Sequence, residues 1–281
     1  MAIPSNVSFV ANAGKGYFGV PSQLVVPTPS ANAIAAGYKS IVLAESVNTG
    51  FGSGDDAVIY CGSSASSTPK LTPGCTVACN FDPRSAAPAP NGAMIIQHAD
   101  TGYTRGWGLS LGSATGDTNR RRVAIYSAGL NSGNWIDLPG SSFFPHIGTG
   151  FAFAITLSDD GSELRYYHTG ALAVGSVAVT GTIIPPNAGD VISIGRAVTQ
   201  LAHASNIAFG GVATSSKFST DDELIALCAK GMDAPIPTLA NENFRLEAGT
   251  FSFGNNYAKV ADGLSGVNTF TLQGALRPQL F

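Results

Sequence analysis

Gly108-Leu-Ser-Leu-Gly112 has the G-x-S-x-G form that presents a serine, here Ser110, as a nucleophile on a sharp strand-to-helix turn. Trp107, Leu109 and Leu111 alternate with Ser110 as they would along a strand, and Ser-Ala-Thr-Gly-Asp-Thr-Asn after them is a turn, not a helix. Ser110 therefore reads as a strand residue facing away from the core. Hydrolysis of a glycosidic bond needs two carboxyl groups facing one another. The nearest pair on a plausible strand, Glu242 and Glu247, has an odd separation that sends the two to opposite faces. Gly14-Lys-Gly-Tyr-Phe-Gly19 matches G-x-G-x-x-G, but Val20-Pro21-Ser22 follows where a dinucleotide site needs a helix N-terminus.

Metal and thiol chemistry find as little support. His98, His146, His168 and His203 are dispersed without H-x-x-x-H or a comparable spacing. Cys75 and Cys79 lie four apart in Gly74-Cys-Thr-Val-Ala-Cys-Asn-Phe81, which reads as a strand, so their side chains stand roughly 13 Å apart on one face. That is too far for a disulfide without a bend. With Cys61 and Cys228 they are expected to be reduced, half-buried thiols. Arg120-Arg121-Arg122 is expected at a solvated strand end, and Trp135, in Asn134-Trp-Ile-Asp137, is expected to be buried in preference to offering an indole to a sugar from a loop. Asn6-Val7-Ser8 is a glycosylation sequon, which matters only in a secreted chain.

The whole chain has 281 residues and a formal net charge of −3, which excludes the broad basic surface that nucleic acid demands. Asp, Glu, Lys and Arg make up 12% of it, against about 25% in an ordinary domain. Together with 34 glycines and a mean hydropathy of +0.17, this implies either a surface covered by copies of itself or by a larger assembly, or a loop-rich β protein with uncharged polar turns. No run of 18 apolar residues could span a membrane, and the start, Met-Ala-Ile-Pro, lacks the basic and apolar regions of a secretory signal. Synthesis in a cytoplasm is the expectation.

Short β-rich segments separated by turn residues begin at Ile41: 41–47, 57–61, 75–81, 93–98, 106–112, 121–127, 151–157, 163–168, 175–180, 190–195 and 206–212. Ser158-Asp-Asp-Gly-Ser162 marks a hairpin, because Asp-Gly accommodates positive φ. One helix is expected over Ser219–Ala229, with Ser219 as its cap, Asp222 completing an approximate capping box, Lys230 and Gly231 closing it, and Leu224, Leu227 and Cys228 on the face toward a sheet. Before the segments, residues 1–40 are expected to form an extended arm. After the helix, 232–281 hold a proline-containing linker and further short strands that extend the sandwich or reach a neighbour.

The order of the pieces carries a resemblance. Gly106-Trp-Gly-Leu-Ser-Leu-Gly112, Arg122-Val-Ala-Ile-Tyr126, the hairpin from Phe151 through Leu164-Arg-Tyr-Tyr-His168, Val191-Ile-Ser-Ile-Gly-Arg196, Ile207-Ala-Phe-Gly-Gly-Val-Ala213 and the capped Phe218-Ser-Thr-Asp-Asp-Glu-Leu224 helix follow one another as in laminin-G-like and pentraxin-like domains. The chain resembles the concanavalin superfamily of antiparallel jelly-roll sandwiches. The resemblance implies an all-β fold over 41–231 with one short helix near 219–229 and irregular terminal arms. It also implies a rim where many relatives hold calcium and bind sugars or proteins. No ligand set maps there: Asp55-Asp56, Asp159-Asp160 and Asp221-Asp222-Glu223 are the acidic clusters, and the last two serve the hairpin and the helix start. No cofactor is expected, with calcium on scattered loop oxygens as the alternative. Some sandwiches of this superfamily are glucanases carrying E-x-D-x-x-E, a motif absent here.

The expected function is thus non-enzymatic. The reading is a structural or adhesive subunit of a multi-copy assembly, such as a capsid decoration or tail-associated protein of a phage virion. Its partners would be its own copies, other virion proteins and cell-surface glycan. A free lectin-like module that binds carbohydrate or protein is the alternative, followed by a polysaccharide hydrolase. The sequence singles out no set of ligand-binding residues.

Overall fold

In the computed structural model the alternating segments are strands that pair antiparallel into a two-sheet sandwich. The structure describes residues 10–12, 17–19, 39–43, 58–62, 69–83, 93–100, 102–114, 117–130, 135–138, 150–187, 190–195, 207–231, 234–247, 252–254, 257–261, 269–273 and 276–280, with side chains in 69–81, 95–100, 102–110, 125–130, 136, 138, 150–187, 190–195, 209–231 and 234–246. A nine-stranded sheet has the order β16 (Ser252–Gly254), β17 (Tyr257–Ala261), β18 (Thr269–Gln273), β4 (Val58–Gly62), β13 (Val191–Ile194), β6 (Ala93–Ala99), β7 (Gly106–Ala114), β8 (Asp117–Ser127), β9 (Trp135–Asp137). An eight-stranded sheet has the order β12 (Gly175–Ala178), β11 (Glu163–His168), β10 (Phe151–Leu157), β5 (Thr76–Pro83), β14 (Ile207–Ser215), β3 (Lys39–Leu43), β19 (Leu276–Leu280), and β15 (Glu242–Glu247) also pairs with β14. Within the stretch expected as an arm, β1 (Val10–Asn12) and β2 (Tyr17–Gly19) form a separate hairpin, and Val20 to Ser22 lie outside the described residues.

Period-two alternation decides which side chains meet between the sheets. Val77, Cys79 and Phe81 of β5, Phe151, Phe153, Ile155 and Leu157 of β10, and Phe209 and Val212 of β14 face Ile96, Trp107, Leu109, Ile125, Ile192 and Ile194 of the other sheet in one buried cluster. Each large apolar side chain so buried contributes roughly 1.5–3 kcal/mol. The hairpin between β10 and β11 follows the Asp-Gly expectation: Gly161 has φ +74, and the Asp160 carboxylate accepts from the Ser158 hydroxyl at 2.7 Å and the Ser162 amide at 3.0 Å.

The other face of the eight-stranded sheet is made of small residues. Ala154, Ala78 and Ala213 are aligned across three strands, and on them sits the one helix among the described residues, α1 (Asp221–Cys228), through Leu224, Leu227 and Cys228. The expected face is therefore right, and the expected cap is off by one. Thr220, not Ser219, caps α1: its hydroxyl accepts from the Glu223 amide at 3.3 Å while the Glu223 carboxylate accepts from the Thr220 amide at 2.8 Å. Ser219 is committed elsewhere, its hydroxyl accepting from Thr76 Oγ1 at 2.9 Å and its amide donating to Thr156 Oγ1 at 3.1 Å. The helix ends at Cys228 with Ala229 as its C-cap, so Lys230 lies beyond the last turn, and Gly231 follows at φ +56. No helix among the described residues is long and apolar enough to cross a membrane.

Cys75, Cys79 and Cys228 are free thiols, fully buried where half-burial was expected. Burial pushes the Cys75 thiol up to about 12 and raises those of Cys79 and Cys228 as well. In a Cys61→Ser background, a disulfide-exchange reagent is therefore expected to find no fast-reacting thiol in the native chain and all three remaining thiols once it is denatured. A thiol titrating quickly without denaturant would contradict this packing.

Candidate functional site

Inward side chains of the nine-stranded sheet build the core; its outward positions form a row of a different kind. Register places Tyr60, Ser193, Gln97, Gly108, Tyr126 and Trp135 side by side across six strands from β4 to β9. Gln97 is 3% exposed and Ser193 is fully buried, yet Gln97 Oε1 and Ser193 Oγ have no hydrogen-bond partner. A buried polar atom left unpaired costs about 1–3 kcal/mol, a cost folding alone does not require at two adjacent positions.

Beside the middle of this row, where β6 ends and β7 begins, the loop joining them makes a rim. Asp100 starts it, accepting from the Thr104 amide at 2.8 Å, the Thr104 hydroxyl at 2.7 Å and the Arg105 amide at 3.1 Å. Burial works against the Asp100 charge, but these hydrogen bonds together outweigh it and hold its carboxyl below the ordinary value. Between them Tyr103 takes φ +56, a conformation that side-chain-bearing residues rarely adopt. That turn lays its ring edge-on against Tyr126, centroids 5.6 Å apart at 82°. The Tyr126 hydroxyl donates to the Tyr103 carbonyl at 2.5 Å, and burial pushes its phenol up to about 12. The Tyr103 hydroxyl is a third buried polar atom without a partner.

Beneath the rim, Asp190 is 5% exposed and accepts from Arg105 Nε at 2.7 Å, Arg105 Nη2 at 2.6 Å and the Asn187 amide at 2.7 Å. The Arg105 hydrogen bond is the main reason its carboxyl lies below the ordinary value. Arg105 also reaches to 3.8 Å from Asp100, so its guanidinium supplies the positive charge between two carboxylates. Among the described residues no three His, Cys, Asp or Glu side chains gather as a metal site.

The residues singled out in the sequence do not assemble. Ser110 lies buried inside β7, a strand running on to Ala114; with β8 starting at Asp117, the turn expected over 113–119 is shorter. Glu242 is clamped by Arg245 at 2.6 Å and accepts from the Leu239 amide at 3.0 Å; the Glu247 side chain is outside the described residues. His98 sits in the core with Nδ1 2.9 Å from the Pro69 carbonyl, which also accepts from Trp107 Nε1 at 3.1 Å. His168 is buried with its ring 4.8 Å from Phe151, while Asp55-Asp56, His146 and His203 are outside the described residues. Asp221 pairs with Arg165 at 3.0 Å, and Arg120 to Arg122 lie within β8. Trp135 opens β9, a strand where a loop was the alternative. Of the candidate row and its rim, only Trp135 was weighed as a ligand contact from the sequence; Gln97, Ser193, Tyr103 and Arg105 were not. The one local signal was Asp100-Thr-Gly-Tyr-Thr-Arg105 between two alternating segments, a loop opened by an acceptor and closed by a cation.

Neither a family model nor a curated protein sequence matches this chain. Solved structures do. The native heptameric SAP-like pentraxin from Limulus polyphemus is similar at a TM-score of 0.54 and 11% identity, over 87% of this chain and 96% of that one. A candidate carbohydrate binding protein from Bacteroides ovatus is similar at a TM-score of 0.52 and 11% identity, over 86% of this chain and 60% of that one. At such identity the likeness is one of fold: the chain is an all-β antiparallel sandwich of the jelly-roll kind with a short helix.

Proposed function

We propose that this chain is a non-enzymatic, lectin-like module that takes a neutral glycan where the β6–β7 loop meets the outward row of the nine-stranded sheet. The carrying observation is that three of the four buried, unpartnered side-chain polar atoms among the described residues, Gln97 Oε1, Ser193 Oγ and Tyr103 Oη, belong to this row and rim (the fourth is His98 Nε2), with the Tyr103–Tyr126 ring pair beside the last of the three. Sugar hydroxyls satisfy isolated polar atoms, and the C–H faces of a sugar ring pack on aromatic carbons. The half-exposed Tyr103 and Arg105 and the exposed Thr104 are the residues that a ligand would meet first. Arg105 is committed to Asp190, so the rim offers no spare cation to an acidic sugar. The name of the Bacteroides ovatus relative supports carbohydrate as the ligand class, on a likeness of fold alone.

A glycan array followed by calorimetry tests this. Neutral oligosaccharides are expected to bind in preference to sialylated ones. Gln97→Leu and Tyr103→Ala are each expected to weaken binding at least about tenfold. Gln97→Leu should melt no lower than the parent, because it removes an unpaired buried carbonyl. An array without a neutral hit, or binding that survives both substitutions, would sink the reading.

A second reading, a subunit of a multi-copy assembly such as a phage virion, draws on the 12% charge content, low enough for a surface meant to be covered. In that setting the glycan site would touch a cell surface from a particle carrying many copies. Capsid and tail genes beside this one would support it, and their absence would weigh against it.

A further inference from the structure

We propose that β12, the open edge of the eight-stranded sheet, pairs antiparallel with the β12 of a second copy of this chain, so that two sandwiches share one continuous sheet. This goes beyond the glycan reading and does not depend on it. One side of β12 is held by β11, with Glu163 opposite Ala178 and Tyr166 opposite Gly175, and the Val179 amide continues the pairing to the Ser162 carbonyl at 2.8 Å. Its other side has no strand among the described residues.

Sheet edges in monomers are guarded by shortness, proline, charge or bulges. The other edges follow that rule. β19 carries Arg277 and Pro278 within the strand, and β9 and β16, the two ends of the nine-stranded sheet, are three residues each. β12 is itself short, four residues, but the Val179 amide extends its pairing by one, its register is regular, and Thr169 to Ile184 contains neither a charged residue nor a proline. The nearest charges are on β11 and are already paired, Arg165 with Glu163 and with Asp221, each at 3.0 Å.

A second copy is the occupant that this chemistry favours. Two-fold antiparallel pairing needs one self-complementary strand, and an uncharged edge meets its own copy without repulsion. Val177 packs on the main core and Val174 on the helix-side cluster, and both are incompletely buried. At the tip before β12, Leu172 is fully exposed. A neighbouring β12 would cover the open flanks of both valines, one on each face of the joined sheet.

Sedimentation of the full chain tests the proposal, with Ser176 and Ala178, both exposed on β12, both changed to Lys in one variant and both to Asp in another. The parent is expected to dimerise in the micromolar range. Each variant should melt like the parent and sediment as a monomer, with dimerisation weakened at least about a hundredfold by like charges across the joint. Mixing the two should restore a dimer. A parent that stays monomeric to its solubility limit, a Lys variant that still dimerises, or a mixture that fails to reassociate would each overturn the proposal.

Discussion

Gly106→Ala is expected to abolish a stable fold, while Gly170→Ala, at a similar positive φ, is expected to lose only about 1 kcal/mol. Gly106 has φ +106, and a Cβ there would sit 2.3 Å from the His98 carbonyl oxygen and 2.4 Å from the Ala99 Cα. Both are backbone atoms of the neighbouring strand, so no rotamer change can relieve the clash. Gly106 is also a junction: its amide donates to the Ile184 carbonyl at 2.8 Å, and its carbonyl accepts from the Ser127 hydroxyl at 2.9 Å and the Ala128 amide at 3.3 Å. Moving it disturbs the start of β7, the hydrogen bond to Ile184 and the rim loop ending at Arg105. A loss of about 4 kcal/mol or more is expected, at the extreme of single substitutions. Gly170 has φ +83 with nothing within 4 Å of the added carbon, so it isolates the cost of φ alone. Urea unfolding of the two variants beside the parent measures the contrast; comparable midpoints would show that the backbone around Gly106 yields.

Stability is expected to fall as pH drops below about 6.5, the ordinary histidine value, because of His98. Burial lowers its pKa, and hydrogen bonding to Pro69 and the charge of Asp190 restore only part of the shift. An unfolded chain takes up the proton near pH 6.5 while the folded chain keeps His98 neutral. The unfolded state therefore binds more protons, and stability is lost from that pH down to the folded value, with a slope of up to about 1.4 kcal/mol per pH unit from this one group. His98→Asn retains a donor for the Pro69 carbonyl and has nothing to titrate. Its stability should be flatter between pH 6.5 and 5 than the parent's, as measured by denaturant midpoints at each pH. Parallel profiles would show that His98 is protonated without cost in the fold.

Those two sites also mark where sequence and structure part. Phe151–Leu157 and Glu163–His168 are strands over the residues expected, because Phe alternates with Ala along the first and an Asp-Gly turn pins the register of the second. The helix was legible too, but two cap-capable residues stand side by side. Thr76 and Thr156, far away in the chain, decide between them by claiming Ser219. Strands of three residues such as β1, β2 and β9 have no period to detect. The candidate site was hidden for a related reason. Arg105 meets Asp190 across 85 residues, and Gln97 meets Ser193 only because β6 and β13 are neighbours in a particular register. Nothing about a glutamine or a serine in an alternating segment tells which strand it will lie beside.

Strand order has a consequence for how the molecule comes into being. β4, from the first quarter of the chain, is flanked in its sheet by β13 and β18, and β3 is flanked by β14 and β19, the last strand. Neither early strand has a sequence neighbour to pair with, so each must wait for residues more than 100 positions later, and each sheet is completed only by strands at the C-terminal end. Long loops must close before those contacts contribute anything, which makes assembly slow and leaves open edges exposed meanwhile. A ribosome would carry both early strands unpaired until β13 and β14 have been made. Both sheets are complete only once β18 and β19 have been made and come back to meet β4 and β3.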